Sequence, residues 1–256
     1  MRKQHDALSS ESLSTSYHAT LAQIQDVTER ANRTLDDITL IAVTKNQPIE
    51  AIERLYELGH RDFGENRVEE ASKKIASISA KVQYNTAPPI WHMIGHIQSR
   101  KARTSASLFN NIHSVDTVKL ANRLSRFSSE HGNTTSILLQ CNVSGEHTKS
   151  GFTATDTRLD TTQWFDLANS ISQIAKLPNL SIIGLMTMAP ITNNPENSRP
   201  IFRNLRRLKD QITHHFPQLP MNHLSMGMSA DYAIAIEEGA TMLRIGTSIF
   251  GHTYTK

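Results

Sequence analysis

A lysine that closes a buried apolar strand can do covalent chemistry with carbonyl compounds. Lys45 stands in that position, with only Thr44 between it and the run Leu40-Ile41-Ala42-Val43. Partial enclosure there disfavours the ammonium form and lowers the pKa of the amine. A neutral amine forms a Schiff base with an aldehyde or ketone. The competing reading is a surface lysine that ends a strand.

Two turns near the C-terminus suit an anion. Ser225-Met226-Gly227-Met228-Ser229 leaves a strand-like run and leads into a short helical pattern. Gly227 permits close backbone approach, Ser229 is a natural N-cap, and a helix start favours negative charge. Arg244-Ile245-Gly246-Thr247 follows, where Gly246 and Thr247 offer a backbone N–H and a hydroxyl. Two ordinary strand-to-helix turns would read the same way. Arg244 lies inside a strand between Leu243 and Ile245. A buried guanidinium stays charged and needs partners. Glu65 or Asp116 would supply them if the role is a structural ion pair. An amine, a phosphate cradle and a strand arginine converging on one end of a fold would take an aldehyde carrying a phosphate. Pyridoxal 5′-phosphate (PLP) fits, with Arg244 facing its pyridine nitrogen.

Other chemistries lack their patterns. His92 and His96 in WHMIGH have a zinc-type spacing, but that pair needs a helix, and the segment reads as a strand running into a turn. There is no G-x-S-x-G elbow, no phosphate-binding P-loop and no G-x-G-x-x-G. Met186, Met226 and Met228 suit core packing or contacts to a cofactor face.

These residues must be positioned by regular elements. Eight strand-like runs occur, at 39–45, 61–66, 90–95, 111–116, 136–143, 180–188, 223–228 and 242–250. Several are apolar almost throughout, as strands buried on both faces are. Helical stripes separate many of them, at Pro48 to Gly59, Val118 to His131, Phe165 to Ile174, Pro200 to Phe216 and Ala230 to Glu238. Another amphipathic helix near 17–32 precedes the first strand. Alternating strands and helices pair in parallel through right-handed crossovers. Eight units in 256 residues point to a (β/α)8 barrel, with a doubly wound sheet as the alternative. In a barrel, the loop-rich stretches 144–162 and 189–199 would lie over the C-terminal face. Residues 1–15 are expected to form a flexible N-terminal tail and 16–256 the barrel domain.

Composition narrows the class further. Hydrophobic residues make up 38% and charged residues 20%, an ordinary globular balance. The formal net charge is +3, and basic residues form no long block. Arg203, Arg206, Arg207 and Lys209 have the spacing of a wet helix face, so nucleic acid is not the expected partner. Cys141 is the single cysteine, which suits a reducing compartment. The N-terminus has no apolar signal core, and Pro and Asn interrupt the longest uncharged stretch. The expectation is a cytoplasmic protein that engages neither membrane nor nucleic acid.

The segments LIAVTKNQP, FGENRVEEA, WHMIGHIQSRK, IHSVD, QCNVSGEHTKSGF, GLMTMAP, LSMGMSADYAIAIEEGAT and RIGTSIFG occur in order between residues 40 and 251. In these the chain resembles the pyridoxal phosphate homeostasis proteins, relatives of the N-terminal barrel of alanine racemase. The resemblance implies an α/β fold, a single TIM-type (β/α)8 barrel with an additional N-terminal helix. It implies that Lys45 carries PLP as a Schiff base. It also implies that Ser225, Gly227, Gly246 and Thr247 hold the phosphate and that Arg244 faces the pyridine nitrogen, with Met226 also among the cofactor-binding residues. Asn66, His92 and Met186 would lie around the ring or pocket. The chain departs from the usual Ser-Lys-Thr-Lys-Pro at Thr44, Asn46 and Gln47, and Arg67 replaces an aromatic. These changes bear on charge at the pocket mouth.

Such a protein is expected to buffer or deliver PLP without robust catalysis, and no catalytic residue is assigned. An arginine opposite the pyridine nitrogen keeps it unprotonated and weakens the electron sink. Only five residues follow Gly251, so the second domain that supplies a racemase its tyrosine base is expected to be missing. A weak racemase-like enzyme is the alternative. A Schiff-base aldolase is less suited, because it would need an acid–base cluster beside the lysine and its lysine usually sits on a later strand. The expected partners are PLP and, transiently, PLP-requiring apo-enzymes, with the chain itself a monomer.

Overall fold

The computed structural model describes residues 10–81, 87–146, 150–155, 157, 160–190 and 192–251. Its strands are β1 (Thr39–Val43), β2 (Asp62–Glu65), β3 (Ile90–Met93), β4 (Asn111–Val115), β5 (Thr135–Asn142), β6 (Phe152–Thr153), β7 (Leu180–Met186), β8 (His223–Ser225) and β9 (Met242–Ile245). Every pairing is parallel. The order is β4-β3-β2-β1-β9-β8-β7-β5, and β4 pairs with β5 to close an eight-stranded barrel. The expected barrel is therefore present and the doubly wound alternative is excluded. The two-residue β6 adds to the edge of β5 inside the loop-rich 144–162 stretch. Within the second such stretch, Pro195–Ser198 forms a single 3-10 turn.

Nine helices are described: α1 (Ser10–Arg30), α2 (Ile49–Glu57), α3 (Val68–Ser79), α4 (Ala102–Leu108), α5 (Val118–His131), α6 (Thr161–Ala175), α7 (Arg199–His215), α8 (Tyr232–Glu237) and α9 (Thr247–Phe250). Local chemistry sets their ends. Thr117 Oγ1 accepts the Leu120 N–H at 3.2 Å to start α5, and Gly132, at φ +69°, stops it in the left-handed region. Pro48 precedes α2 and Gly59, at φ +92°, follows it. α1 begins at Ser10, earlier than the sequence pattern suggests, and buries Leu13, Tyr17, Ile24 and Val27. Residues 1–9 of the expected tail lie outside the described residues. α8 also starts later than expected, because Asp231 takes the cap position in place of Ser229.

Period-two alternation divides each strand between two layers. Ile41, Leu138, Met186 and Met242 fill a small inner cluster. Leu40, Ala42, Phe63, Trp91, Ile112, Leu139, Leu224 and Leu243 face outward into the continuous core under the helices. Full burial of each large side chain there contributes about 1.5–3 kcal/mol. No described helix is long and apolar enough to cross a membrane.

Glycine sets the spacing between β7 and β8. A Cβ at Gly184 would lie 2.0 Å from the His223 carbonyl oxygen. Gly184→Ala is expected to cost about 1–3 kcal/mol, a fall of about 3–10 °C in thermal midpoint. Circular dichroism melts check this, and an unchanged midpoint would show that the strand gap yields freely.

Candidate functional site

All eight barrel strands run in one direction, so the turns after them gather at one mouth. Lys45 lies in the turn just past β1, closed by the Gln47 N–H donating to the Thr44 carbonyl at 3.0 Å. Its side chain is exposed at the rim and not partly enclosed as the sequence suggested. Asn46 takes φ +60°, a conformation asparagine tolerates better than most residues.

The turn is braced from the outer layer. Thr44 N–H donates to the Gly64 carbonyl at 2.9 Å, and Thr44 Oγ1 donates to Glu65 Oε1 at 2.6 Å. Lys74 Nζ donates to the same Glu65 oxygen at 2.7 Å and to the Thr44 carbonyl at 2.6 Å. The carbonyl just before Lys45 is thus held by a buried ion pair. Among the described residues Glu65 Oε2 is buried without a hydrogen-bond partner, and Lys74 supplies the cation paired with that carboxylate.

Arg244 sits inside the barrel on β9, level with Ile41 of β1. It is 4% exposed. Neither proposed carboxylate reaches it: Glu65 is taken by Lys74, and Asp116 pairs with His96 at 3.1 Å. Strand parity explains this, since Glu65 faces the helices while Arg244 faces the lumen. The guanidinium instead donates from Nη1 to Ser225 Oγ at 2.6 Å and from Nη2 to the Thr187 carbonyl at 2.8 Å. Burial lowers its pKa to about 10, against the raising influence of Asp231. It remains cationic at neutral pH.

The other expected residues divide between mouth and interior. The Gly227 carbonyl accepts the Arg244 N–H at 3.0 Å, and Gly227 itself takes φ +92°. The turns after β8 and β9 touch, with Ser248 N–H donating to Ser229 Oγ at 3.3 Å. Asp231 braces the first turn by accepting from Met228 N–H at 2.7 Å and Ser198 Oγ at 3.2 Å. Gly246 packs against Val43, and Thr247 is exposed at the rim. Asn66 is half-buried past β2, where Gly95 approaches its backbone so closely that a Cβ would clash with it.

Ser225 is fully buried with its hydroxyl turned toward Arg244. Met226 faces the outer core, and Met186 the inner cluster. His92 is deep in the lumen, 2.9 Å from His113 and 3.0 Å from Asp62, whereas His96 is exposed at the mouth. The two histidines share no face. Among the described residues, no group of three or more side chains is placed to hold a metal.

Sequence reasoning missed Asp62, His113, Thr187 and Asp231. The available signal was parity: Asp62, His92, His113, Ser225 and Arg244 are polar residues at lumen-facing positions of different strands. Burial holds the His113 pKa well below the ordinary histidine value, helped by the nearby His92, Arg244 and His223. Burial likewise lowers His60, and pushes the Cys141 thiol up to about 12, so that thiol is inert at neutral pH.

A family model described as alanine racemase, N-terminal domain matches residues 19–254. A pyridoxal phosphate homeostasis protein of Vibrio alginolyticus is 38% identical over 230 residues, covering 90% of this chain and 93% of that protein. The PLP-bound structure of PipY from Synechococcus elongatus PCC7942 is similar at TM-score 0.74 and 35% identity, over 90% of this chain and 100% of that one. The alanine racemase of Clostridium difficile 630 is similar at TM-score 0.67 and 13% identity, over 93% of this chain and 58% of that one, a likeness of fold alone.

The buried histidines set an acid limit. His60 and His113 have folded-state pKa values below their unfolded ones. The unfolded chain therefore binds more protons, and stability falls as pH drops below about 6.5. Each histidine that stays neutral contributes about 1.4 kcal/mol per pH unit in that window. Urea unfolding between about pH 6.5 and pH 5 should show this slope, and His113→Gln should flatten it. A pH-independent midpoint would contradict the assignment.

Proposed function

This chain belongs to the pyridoxal phosphate homeostasis protein family, built on the alanine racemase N-terminal barrel, and from that premise we propose that it binds PLP and holds it for buffering or delivery. The observation that carries the reading is one strand pair. β1 ends in an exposed amine at the mouth, and its neighbour β9 buries a cation beneath that mouth with no carboxylate against it. The donor set fits PLP: Lys45 for the aldehyde, Arg244 for the ring nitrogen, and the Gly227 and Gly246–Thr247 turns for the phosphate. Ser225 acts through Arg244, because its hydroxyl is already engaged there. Asn66 borders the mouth, while Met186 and His92 support it from below.

When bound, PLP supplies an aldehyde for the amine and a ring that can act as an electron sink. Arg244, with a pKa of about 10, still carries its proton and would donate to the ring nitrogen. That nitrogen stays an acceptor and the sink is weakened, which favours holding the cofactor over using it. Lys45 lies exposed at an open rim, so water and a recipient protein can reach the link. The recipients would be PLP-requiring apo-enzymes, and the carrier itself a monomer.

The test is reduction with borohydride after loading with PLP, followed by peptide mass mapping. A visible band that reduction abolishes, with the pyridoxyl mass on Lys45 and nothing comparable in Lys45→Ala, is the expected result. The mass on another lysine would overturn the assignment. Chiral analysis of L-alanine incubated with loaded protein should show no inversion above the Lys45→Ala background. Clear inversion would replace the carrier reading with a racemase.

A further inference from the structure

Among the described residues no carboxylate lies within ion-pair distance of the buried Arg244, although Asp231 acts on it through space, so neutral groups hold its guanidinium directly. The lumen contains a line of contacts that begins at its guanidinium. Arg244 Nη1 lies 2.6 Å from Ser225 Oγ, Ser225 Oγ 2.8 Å from His113 Nδ1, His113 Nε2 2.9 Å from His92 Nδ1, and His92 Nε2 3.0 Å from Asp62 Oδ1. Asp62 opens β2, at the barrel end opposite Lys45. The line therefore crosses the interior from the cofactor side to the far rim.

Donor and acceptor chemistry gives the line a direction. A guanidinium only donates and a carboxylate only accepts. His92 Nε2 must therefore carry the hydrogen shared with Asp62. In a neutral His92, Nδ1 is then bare and accepts, so His113 Nε2 carries the next hydrogen. His113 is fully buried and neutral, which leaves its Nδ1 bare to accept from the Ser225 hydroxyl. Ser225 Oγ is then free to accept from Arg244. All four hydrogen bonds point the same way, from the cation to the carboxylate, and each polarises the next.

We propose that Asp62, His92 and His113 are positioning residues for the cofactor, forming a one-way relay that makes Ser225 the acceptor that fixes Arg244. The proposal rests on Arg244 facing the PLP ring. The remote carboxylate polarises the line through two imidazoles, while Asp231 acts on the arginine through space. A directly paired carboxylate would instead occupy the guanidinium edge the ring nitrogen needs. The relay also has a defined weakness. An imidazolium donates from both nitrogens, so protonating His92 or His113 reverses bonds and breaks the line. The charged and titratable neighbours that bear on this are Asp62, His60, Arg61, His223, Arg244 and Asp231.

The test joins nitrogen-15 NMR of the histidine rings in the full-length protein with PLP binding to Asp62→Asn, His113→Gln and Arg244→Gln. In the unsubstituted protein, His92 and His113 should both be protonated at Nε2 and bare at Nδ1. Asp62→Asn and His113→Gln should each weaken PLP binding about fivefold, the size of one ordinary hydrogen bond. Each should also move the visible band in the direction that Arg244→Gln moves it. A proton on His113 Nδ1 would overturn the relay. So would wild-type affinity and band in both Asp62→Asn and His113→Gln while Arg244→Gln alters them; the cofactor reading would then stand. A lowered melting temperature with an unmoved band would likewise reduce the line to structure alone. If Arg244→Gln leaves affinity and band unchanged, the cofactor reading of Arg244 falls, and the relay's role with it.

Discussion

A guanidinium keeps its charge at neutral pH, so a protein that buries one must solvate it from within. Arg244 imposes that constraint on the barrel interior. Much of the lumen's polar content answers it: the Ser225 hydroxyl, the Thr187 carbonyl and the imidazoles behind Ser225. The apolar remainder is compressed into Ile41, Leu138, Met186 and Met242. A barrel needing only stability would fill those positions with branched aliphatics. The polar line suits a protein that presents a fixed cation to a ligand at one mouth.

The outer layer serves the amine as the inner layer serves the cation. Lys45 stands exposed, yet the carbonyl before it is held by Lys74, itself locked to the buried Glu65. The backbone is fixed where the side chain is free. That division suits the role proposed for Lys45, capture and release of a ligand. The turns after β8 and β9 are handled alike, joined through Ser229 and Ser248 and braced by Asp231. The site is thus rigid in its backbone and open in its access, which fits holding and release better than water-excluded catalysis.

The family relation and the site chemistry meet at one distinction. The likeness to alanine racemase is one of fold, and fold carries many functions. The likeness to the homeostasis proteins extends over nine-tenths of the chain. The proposed placement of Arg244 toward a ring nitrogen is compatible with either parentage. On that placement, proton-assisted use of the cofactor would be the less favoured outcome.

Strand and helix order was legible in the residues, because buried parallel strands read as apolar runs and helices carry stripes. Lys45 and the Gly227 and Gly246 turns were legible too, since strand ends and glycine turns are local features. The errors concerned partners. Arg244 was offered Glu65 or Asp116, but Glu65 faces the helices and Asp116 lies at the mouth beside His96. Ser225, expected to hold the phosphate, also engages Arg244 and His113, two contacts with no local signature. Asp62 and His113 carried no motif at all. By itself the sequence determined the barrel, the amine and the turns, because each is written in contiguous residues. Which polar side chains meet in the lumen was decided only by closure of the barrel. Closure sets the stagger between strands, and stagger brings residues from β2, β3, β4, β8 and β9 within hydrogen-bonding distance.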